Sequence, residues 1–398
     1  MGSTNRRNFL KHCTLGTAAA GAALSADGSF PRRIYSQESA PFQRIVYRDL
    51  GSTGFRATEI GFGCMNMREP ELVHAAIDAG INYLDTAHYY MRGANEEIVG
   101  TVMKTRRDEV FLTTKVGLSK DLAAIPGEIE TSLKRLQTDH VDLLLFHKME
   151  TRDEVLNEAA MKLFDAARKK GQARFVGIST HGNQKEVLDA AVESKFWEAA
   201  LVGYNYLTPP SVSEGIKNAR EAGIGIIAMK NLITMTSPPS SRVKLEDIRR
   251  DKSSATTPEQ ALIKWVLEDK YVDTTIPGIT AFEHLADDLA IMGMKLTFDE
   301  RRTLRRYSEI MNNRYCRGVA GCTDCLNQCP WGVKVSEINR CLRYVYGYND
   351  LELARENYYA LPRNNRLARC SDCDECVVKC KHGLDLSKNI RIARELFT

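Results

Sequence analysis

A chain of 398 residues with 43% hydrophobic and 27% charged residues has the balance of a folded globular protein, which excludes wholesale disorder and a fibrous repeat. The length allows two or three ordinary domains, or one barrel of roughly 250 residues with a smaller partner. Net charge is +4, but the first 33 residues hold five basic groups against one acid. The rest is close to neutral and offers no electrostatic case for nucleic-acid binding.

The N-terminus reads as an address. Thr4-Asn5-Arg6-Arg7-Asn8-Phe9-Leu10-Lys11 resembles the twin-arginine export signal, and the Ala- and Gly-rich run from Cys13 to Leu24 suits its apolar region. That run is too short to span a membrane. The plainer reading is a disordered basic N-terminus. The resemblance implies passage through the twin-arginine export machinery to the periplasm, a route that carries folded cargo with its cofactor already inserted. Residues 25–43, with Ser, Gly, Pro and Gln, read as a linker, so signal and linker together take 1–43.

From residue 45 the pattern changes. Short apolar stretches on either side of Gly51-Ser52-Thr53-Gly54 predict a hairpin. Buried-strand runs follow at 59–63, 81–84, 110–114, 141–146, 174–178, 199–204, 224–229 and 272–276. Between them lie stretches of helical period, among them Ala124 to Leu136, Val155 to Lys169 and Pro258 to Glu268. Strand–helix alternation argues for a parallel sheet. The span 45–310 is close to the size of a closed (β/α)8 TIM barrel. The alternative, an open doubly wound sheet, lacks its Gly-x-Gly-x-x-Gly turn after an early strand.

Three polar residues end these strands: Asp85, Lys115 and His147. In a barrel the strand carboxyl ends ring the active-site face. Tyr90 follows Asp85 in the next loop. Singly, each has an ordinary reading: a helix cap, a solvated strand end, a satisfied core histidine, a packed ring. Together, on strands 2, 3 and 4 of the series, they read as catalytic.

At this point the chain resembles the aldo-keto reductases. The opening hairpin, Leu84-Asp85-Thr86-Ala87-His88-Tyr89-Tyr90, Thr114-Lys115, Phe146-His147, Gly177-Ile178-Ser179-Thr180 and Ile276-Pro277-Gly278 match in order over nearly all of 45–290. The resemblance implies hydride transfer between NAD(P) and a small-molecule carbonyl or alcohol. Tyr90 would be the acid in reduction and the base in oxidation. A free phenol titrates near roughly 10, so a neighbouring Lys115 ammonium, balanced by Asp85, is expected to lower it. His147 would hold the carbonyl oxygen. On the cofactor side the resemblance places Ser179, Thr180 and Asn205 near the nicotinamide and Met229 where an aromatic commonly stacks. Gly278 and His284 fall where basic residues commonly hold a 2′-phosphate, so discrimination between NAD and NADP should be weak. Lys230 reads either as a pyrophosphate contact or as a solvated strand-end lysine.

Nine of the 11 cysteines fall between Cys316 and Cys380. Such crowding points to metal rather than to disulfides spread along a secreted chain. Cys370-x2-Cys373-x2-Cys376-x3-Cys380 has the spacing of a [4Fe–4S] ligand run. Zinc is the alternative for a Cys-x2-Cys pair. Cys316-x5-Cys322-x2-Cys325-x3-Cys329-Pro330 is a less regular counterpart. Residues 312–398 thus read as a small ferredoxin-like iron–sulfur module. Carrying over the two-cluster pattern pairs Cys316, Cys322 and Cys325 with Cys380, and Cys370, Cys373 and Cys376 with Cys329. Cys341 reads as packing. Cys64 is either a pocket residue or a small buried hydrophobe.

Two functions follow. One is a redox enzyme whose clusters relay electrons to or from a membrane-bound or soluble carrier. The other is an electron-transfer or structural iron–sulfur protein on a barrel that no longer turns over nucleotide.

Overall fold

The computed structural model describes residues 45–232, 256–311, 313–320, 322, 324–373 and 376–398. The expected signal and linker, residues 1–43, lie outside the described residues.

The predicted hairpin forms from β1 (Tyr47–Asp49) and β2 (Arg56–Thr58), paired antiparallel. Eight parallel strands follow: β3 (Phe62–Gly63), β4 (Tyr83–Asp85), β5 (Phe111–Val116), β6 (Val141–Phe146), β7 (Ala173–Thr180), β8 (Ala199–Gly203), β9 (Gly225–Met229) and β10 (Thr274–Thr275). They are ordered by sequence, and the sheet closes on itself. Ile60 bridges Thr275 and Gly63 bridges Gly278, with Gly61 N–H donating to the Thr275 carbonyl at 2.8 Å. Gly63 has a reason to be glycine, because a Cβ there would meet the Pro277 carbonyl oxygen at 2.7 Å.

Helices cover the outer face. Pro258–Glu268 forms as the period predicts, started by a Thr257–Gln260 capping box. The stretch at 155–169 is instead two helices, Arg152–Val155 and Glu158–Lys169, because Asn157 caps the second from its own side chain. Apolar residues between strands and helices make the larger core, with Leu112, Leu144 and Val176 facing outward into it. Inside the barrel, Tyr83, Phe111, Leu143, Leu145, Leu201 and Ile227 fill the lumen, and Leu50, Phe55 and Ala57 of the hairpin plug its base. The lumen is therefore packed, and among the described residues the cavity lies at the carboxyl end of the strands.

The C-terminal residues carry an apolar cluster of their own. Helices Val335–Tyr348, Leu351–Ala360 and Leu386–Phe397 meet around Ile338, Leu342, Tyr358 and Phe397. A separate cluster of Leu262, Leu304, Tyr307 and Tyr315 joins this region to the barrel.

Candidate active site

The inward face of each strand advances two residues at a time. Register sets Tyr83 beside Phe111, Thr113 beside Leu143 and Lys115 beside Leu145. Asp85, Lys115 and His147 fall on that inward face at its upper end. All three are buried, and the Lys115 side chain is only 1% exposed. Tyr90 opens a short 3-10 turn, Tyr90–Gly93, that folds back over them.

The predicted four converge. Lys115 Nζ donates to Asp85 Oδ1 at 2.5 Å, to the Thr86 carbonyl at 2.6 Å and to the Tyr90 hydroxyl oxygen at 3.2 Å. An ammonium has three donors, and all three are used. The Tyr90 oxygen accepts, which leaves its own O–H free to donate. The His147 ring stands edge-on to Tyr90, with centroids 6.1 Å apart at 81°.

Burial pushes the Asp85 carboxyl up and the Lys115 ammonium down, each opposed by the charge of the other. Tyr90 departs from expectation. Burial, and then the Asp85 charge, hold its phenol well above the ordinary value. Asp85 largely cancels the Lys115 charge, so the ammonium does not lower it. Burial also drives His147 well below the ordinary histidine value, with Lys115, Lys120 and Lys148 acting the same way. At neutral pH the site therefore holds a protonated phenol beside a neutral imidazole. Among the described residues, His147 Nδ1 and Asp85 Oδ2 are buried without a hydrogen-bond partner. So is Nδ1 of His181, whose ring lies 6.5 Å from that of His147.

These residues open on a cavity of about 1820 Å³. Met229, Lys230, Gly278 and His284, from the nucleotide-side expectations, line it. A Cβ on Gly278 would meet nothing within 4 Å, so open space stands where a basic side chain was expected. Ser179, Thr180 and Asn205 are instead fully buried and bonded within the protein. Ser179 Oγ accepts from Lys148 N–H at 2.8 Å, Thr180 Oγ1 donates to the Gly182 carbonyl at 2.6 Å, and Asn205 Nδ2 donates to the Lys230 carbonyl and the Tyr315 hydroxyl, both at 3.1 Å.

Three lysines on the cavity wall, Lys120, Lys148 and Lys230, hold left-handed backbone with φ of 65°, 63° and 58°. That conformation is costly for a side-chain-bearing residue and persists only where the surroundings fix it. Lys120 Nζ donates to the Lys148 carbonyl at 2.7 Å, and Lys148 Nζ pairs with Glu337 at 2.7 Å. Lys230 Nζ sits 5.6 and 5.8 Å from the ring centres of Tyr344 and Tyr348. Its predicted alternatives were a pyrophosphate contact or solvent, and neither included these rings. Glu337, Arg340, Arg343, Tyr344 and Tyr348 all come from helix Val335–Tyr348, which forms one wall of the cavity. Sequence reasoning missed every one of them. The sole available signal was aromatic and basic residues repeating at four-residue spacing.

The cysteines influence one another across both runs, Cys325 responding to Cys376 as well as to Cys380. Among the thiols that bear electrostatically on Cys316 are those of Cys325, Cys322 and Cys380; those bearing on Cys370 are Cys329, Cys376 and Cys373. Burial raises Cys316 to about 12 and Cys370 to about 11. All eight are free thiols. Among the described residues, the compact three-ligand group within 4.8 Å is Cys322, Asp324 and His382, which takes only one of these cysteines. Cys64 and Cys341 are both fully buried in apolar clusters.

A model of the aldo/keto reductase family matches residues 59–309, more than half of the chain. The probable aldo-keto reductase 1 of Glycine max is 24% identical over 324 residues, which cover 68% of this chain and 92% of that protein. The uncharacterized oxidoreductase YqkF of Bacillus subtilis is 35% identical over 149 residues, 33% of this chain and about half (48%) of that relative. Among solved structures, the holo form of aldo-keto reductase AKR11C1 from Bacillus halodurans gives a TM-score of 0.55 at 25% identity, covering 66% of this chain and 96% of that one. An aldo-keto reductase from Klebsiella pneumoniae in complex with NADPH gives 0.55 at 24% identity, over 66% and 95%.

Proposed function

Because the chain belongs to the aldo/keto reductase family and is an oxidoreductase of that kind, we propose that it transfers a hydride between NAD(P) and a small-molecule carbonyl or alcohol, with two [4Fe–4S] clusters relaying electrons to or from a carrier. The observation that carries the first part is the Lys115 ammonium, whose three donors fix Asp85, the Thr86 carbonyl and the Tyr90 oxygen together.

When bound, the nucleotide supplies the hydride and the clusters supply single-electron transfer. The residues of the chain do the rest. A substrate oxygen in the cavity receives a hydrogen bond from neutral His147, which orients it and stabilises developing negative charge. Tyr90 donates its proton to that oxygen in reduction and takes it back in oxidation. Lys115 and Asp85 hold the phenol in place. Met229, Lys230, Gly278 and His284 make the nucleotide side of the wall. The open space at Gly278 leaves a 2′-phosphate without a strong charge-assisted partner there, so NAD and NADP bind comparably. Cys316, Cys322, Cys325 and Cys380 hold one cluster, and Cys329, Cys370, Cys373 and Cys376 the other.

The twin-arginine resemblance of residues 4–11 supports export to the periplasm, where free nucleotide is scarce. A nucleotide bound before export and recharged in place is consistent with this reading. Arg6→Lys with Arg7→Lys should retain the protein in the cytoplasm, and unchanged export would remove the signal from the proposal.

The main test is direct. Anaerobic protein is titrated with NADPH and with NADH while its fluorescence is followed, then assayed on aldehydes and ketones. Quenching and turnover are expected, with near eight irons and eight sulfides, the content of two cubes. The competing reading, an iron–sulfur protein on an idle barrel, draws on the internal bonding of Ser179, Thr180 and Asn205. Clusters without nucleotide binding would select it.

A further inference from the structure

Tyr348 ends helix Val335–Tyr348 and lines the same cavity as Tyr90 and His147. Its hydroxyl accepts from Arg343 Nη2 at 3.4 Å. Arg343 is itself 2% exposed and is tied to the Leu232 carbonyl at 3.3 Å. From the end of β9, Lys230 reaches the same phenol. The other groups facing it are Tyr344, with ring centres 5.5 Å apart, Tyr315 and Tyr90. No carboxylate is among these groups of the described residues. Burial raises a phenol here, but the Arg343 and Lys230 cations outweigh it and bring Tyr348 to about 8. The Tyr90 phenol moves the opposite way. Titratable groups in one site whose surroundings drive them apart are the pattern that separates a base from an acid.

Tyr90 serves the carbonyl oxygen in both directions, as microscopic reversibility requires. A second base in the cavity must act on another proton. In a bound carbonyl compound, polarisation of the oxygen by Tyr90 and His147 acidifies the hydrogens on the adjacent carbon. We propose that Tyr348 removes a proton from the carbon next to the carbonyl, which gives the site an enolising activity, needing no hydride transfer, on aldehydes and ketones that carry a hydrogen on that carbon. The C–H bond breaks and its proton forms the Tyr348 O–H. The electron pair moves into the C–C bond and onto the carbonyl oxygen, which takes the Tyr90 proton. Reversal returns a proton from Tyr348 to the same face of the carbon, and exchange of the Tyr348 O–H with solvent in between replaces hydrogen by deuterium. Nothing is oxidised or reduced overall. This inference rests on the proposed roles of Tyr90 and His147 at the substrate oxygen.

The test uses the holo-protein in D2O, without nucleotide, with hydroxyacetone as the probe. Proton NMR follows loss of the hydrogens next to the carbonyl. Exchange above buffer is expected, rising with pH to a midpoint near 8. Tyr348→Phe should lower it at least tenfold, while Tyr359→Phe, outside the cavity, leaves it at the wild-type rate. Lys230→Met keeps the phenol, removes one cation and should move the midpoint upward. Absorbance at 295 nm of the wild type should show one phenol ionising near pH 8 that survives in Tyr90→Phe. Wild-type exchange no faster than buffer, equal exchange in Tyr348→Phe, or no phenol ionising below about pH 9.5 each overturn the proposal. NADPH oxidation with the same probe separates the two readings. Hydride transfer without exchange removes only this inference, and exchange without hydride transfer removes only the reductase.

Discussion

Lys148 Nζ and Glu337 Oε2 meet at 2.7 Å, joining the loop after β6 to helix Val335–Tyr348, which walls the cavity. Arg340 contacts the same carboxylate oxygen at 2.7 Å. Burial alone would raise Glu337, but the Arg340 and Lys148 cations outweigh it and hold the carboxyl near 2. The active site and the cysteine-rich segment are thus pinned to one another by charge.

That pinning has a pH signature. Glu337 is depressed from 4.5 to about 2, so its stabilisation is complete above the unfolded value and is lost as pH falls through this window. Complete loss corresponds to roughly 3 kcal/mol. Thermal unfolding followed from pH 6 to pH 2 should show this acid limb, and Glu337→Gln should flatten it. An identical limb in the variant would assign the effect to other carboxylates.

The Asp85–Lys115 pair should be costly to break on one side only. Asp85→Asn leaves a buried ammonium without its counter-charge, and a loss of about 3–5 kcal/mol is expected in denaturant unfolding. Asp85→Leu combined with Lys115→Met should cost less than either single change. A double variant as unstable as the sum of the singles would mean that the two charges do not act as a pair.

Tyr90→Phe removes the donated proton and little volume. Hydride transfer in a single turnover should fall by about 10²–10⁴-fold while nucleotide affinity stays unchanged. Because His147 is held neutral by burial and nearby cations, its imidazole NMR signals, assigned with His147→Gln, should not shift through the ordinary midpoint of 6.5. A His147 signal moving there would contradict the neutral-donor role.

The proposed crossed cysteine sets make a double-variant prediction. Cys380→Ser should lower iron from near eight to near four atoms, one cube of two. Adding Cys316→Ser should remove no further iron, because both belong to one set. Adding Cys370→Ser instead should remove nearly all. The reverse pattern would show that each run of four holds its own cluster.

Chain-order patterning alone placed Asp85, Lys115 and His147 at successive strand ends, because side-chain direction in a strand repeats every two residues and strand order here follows sequence order. Other features needed the tertiary structure. The Tyr90 phenol rises rather than falls, because desolvation and a paired counter-charge depend on what surrounds the group. Lys230 meets Tyr344 and Tyr348, more than a hundred residues along the chain, because Tyr315, Arg343 and Glu337 dock the last segment on the barrel mouth. Short-range periodicity determines which face a residue takes. Which distant segment covers that face depends on the summed packing and charge of surfaces that no local pattern encodes.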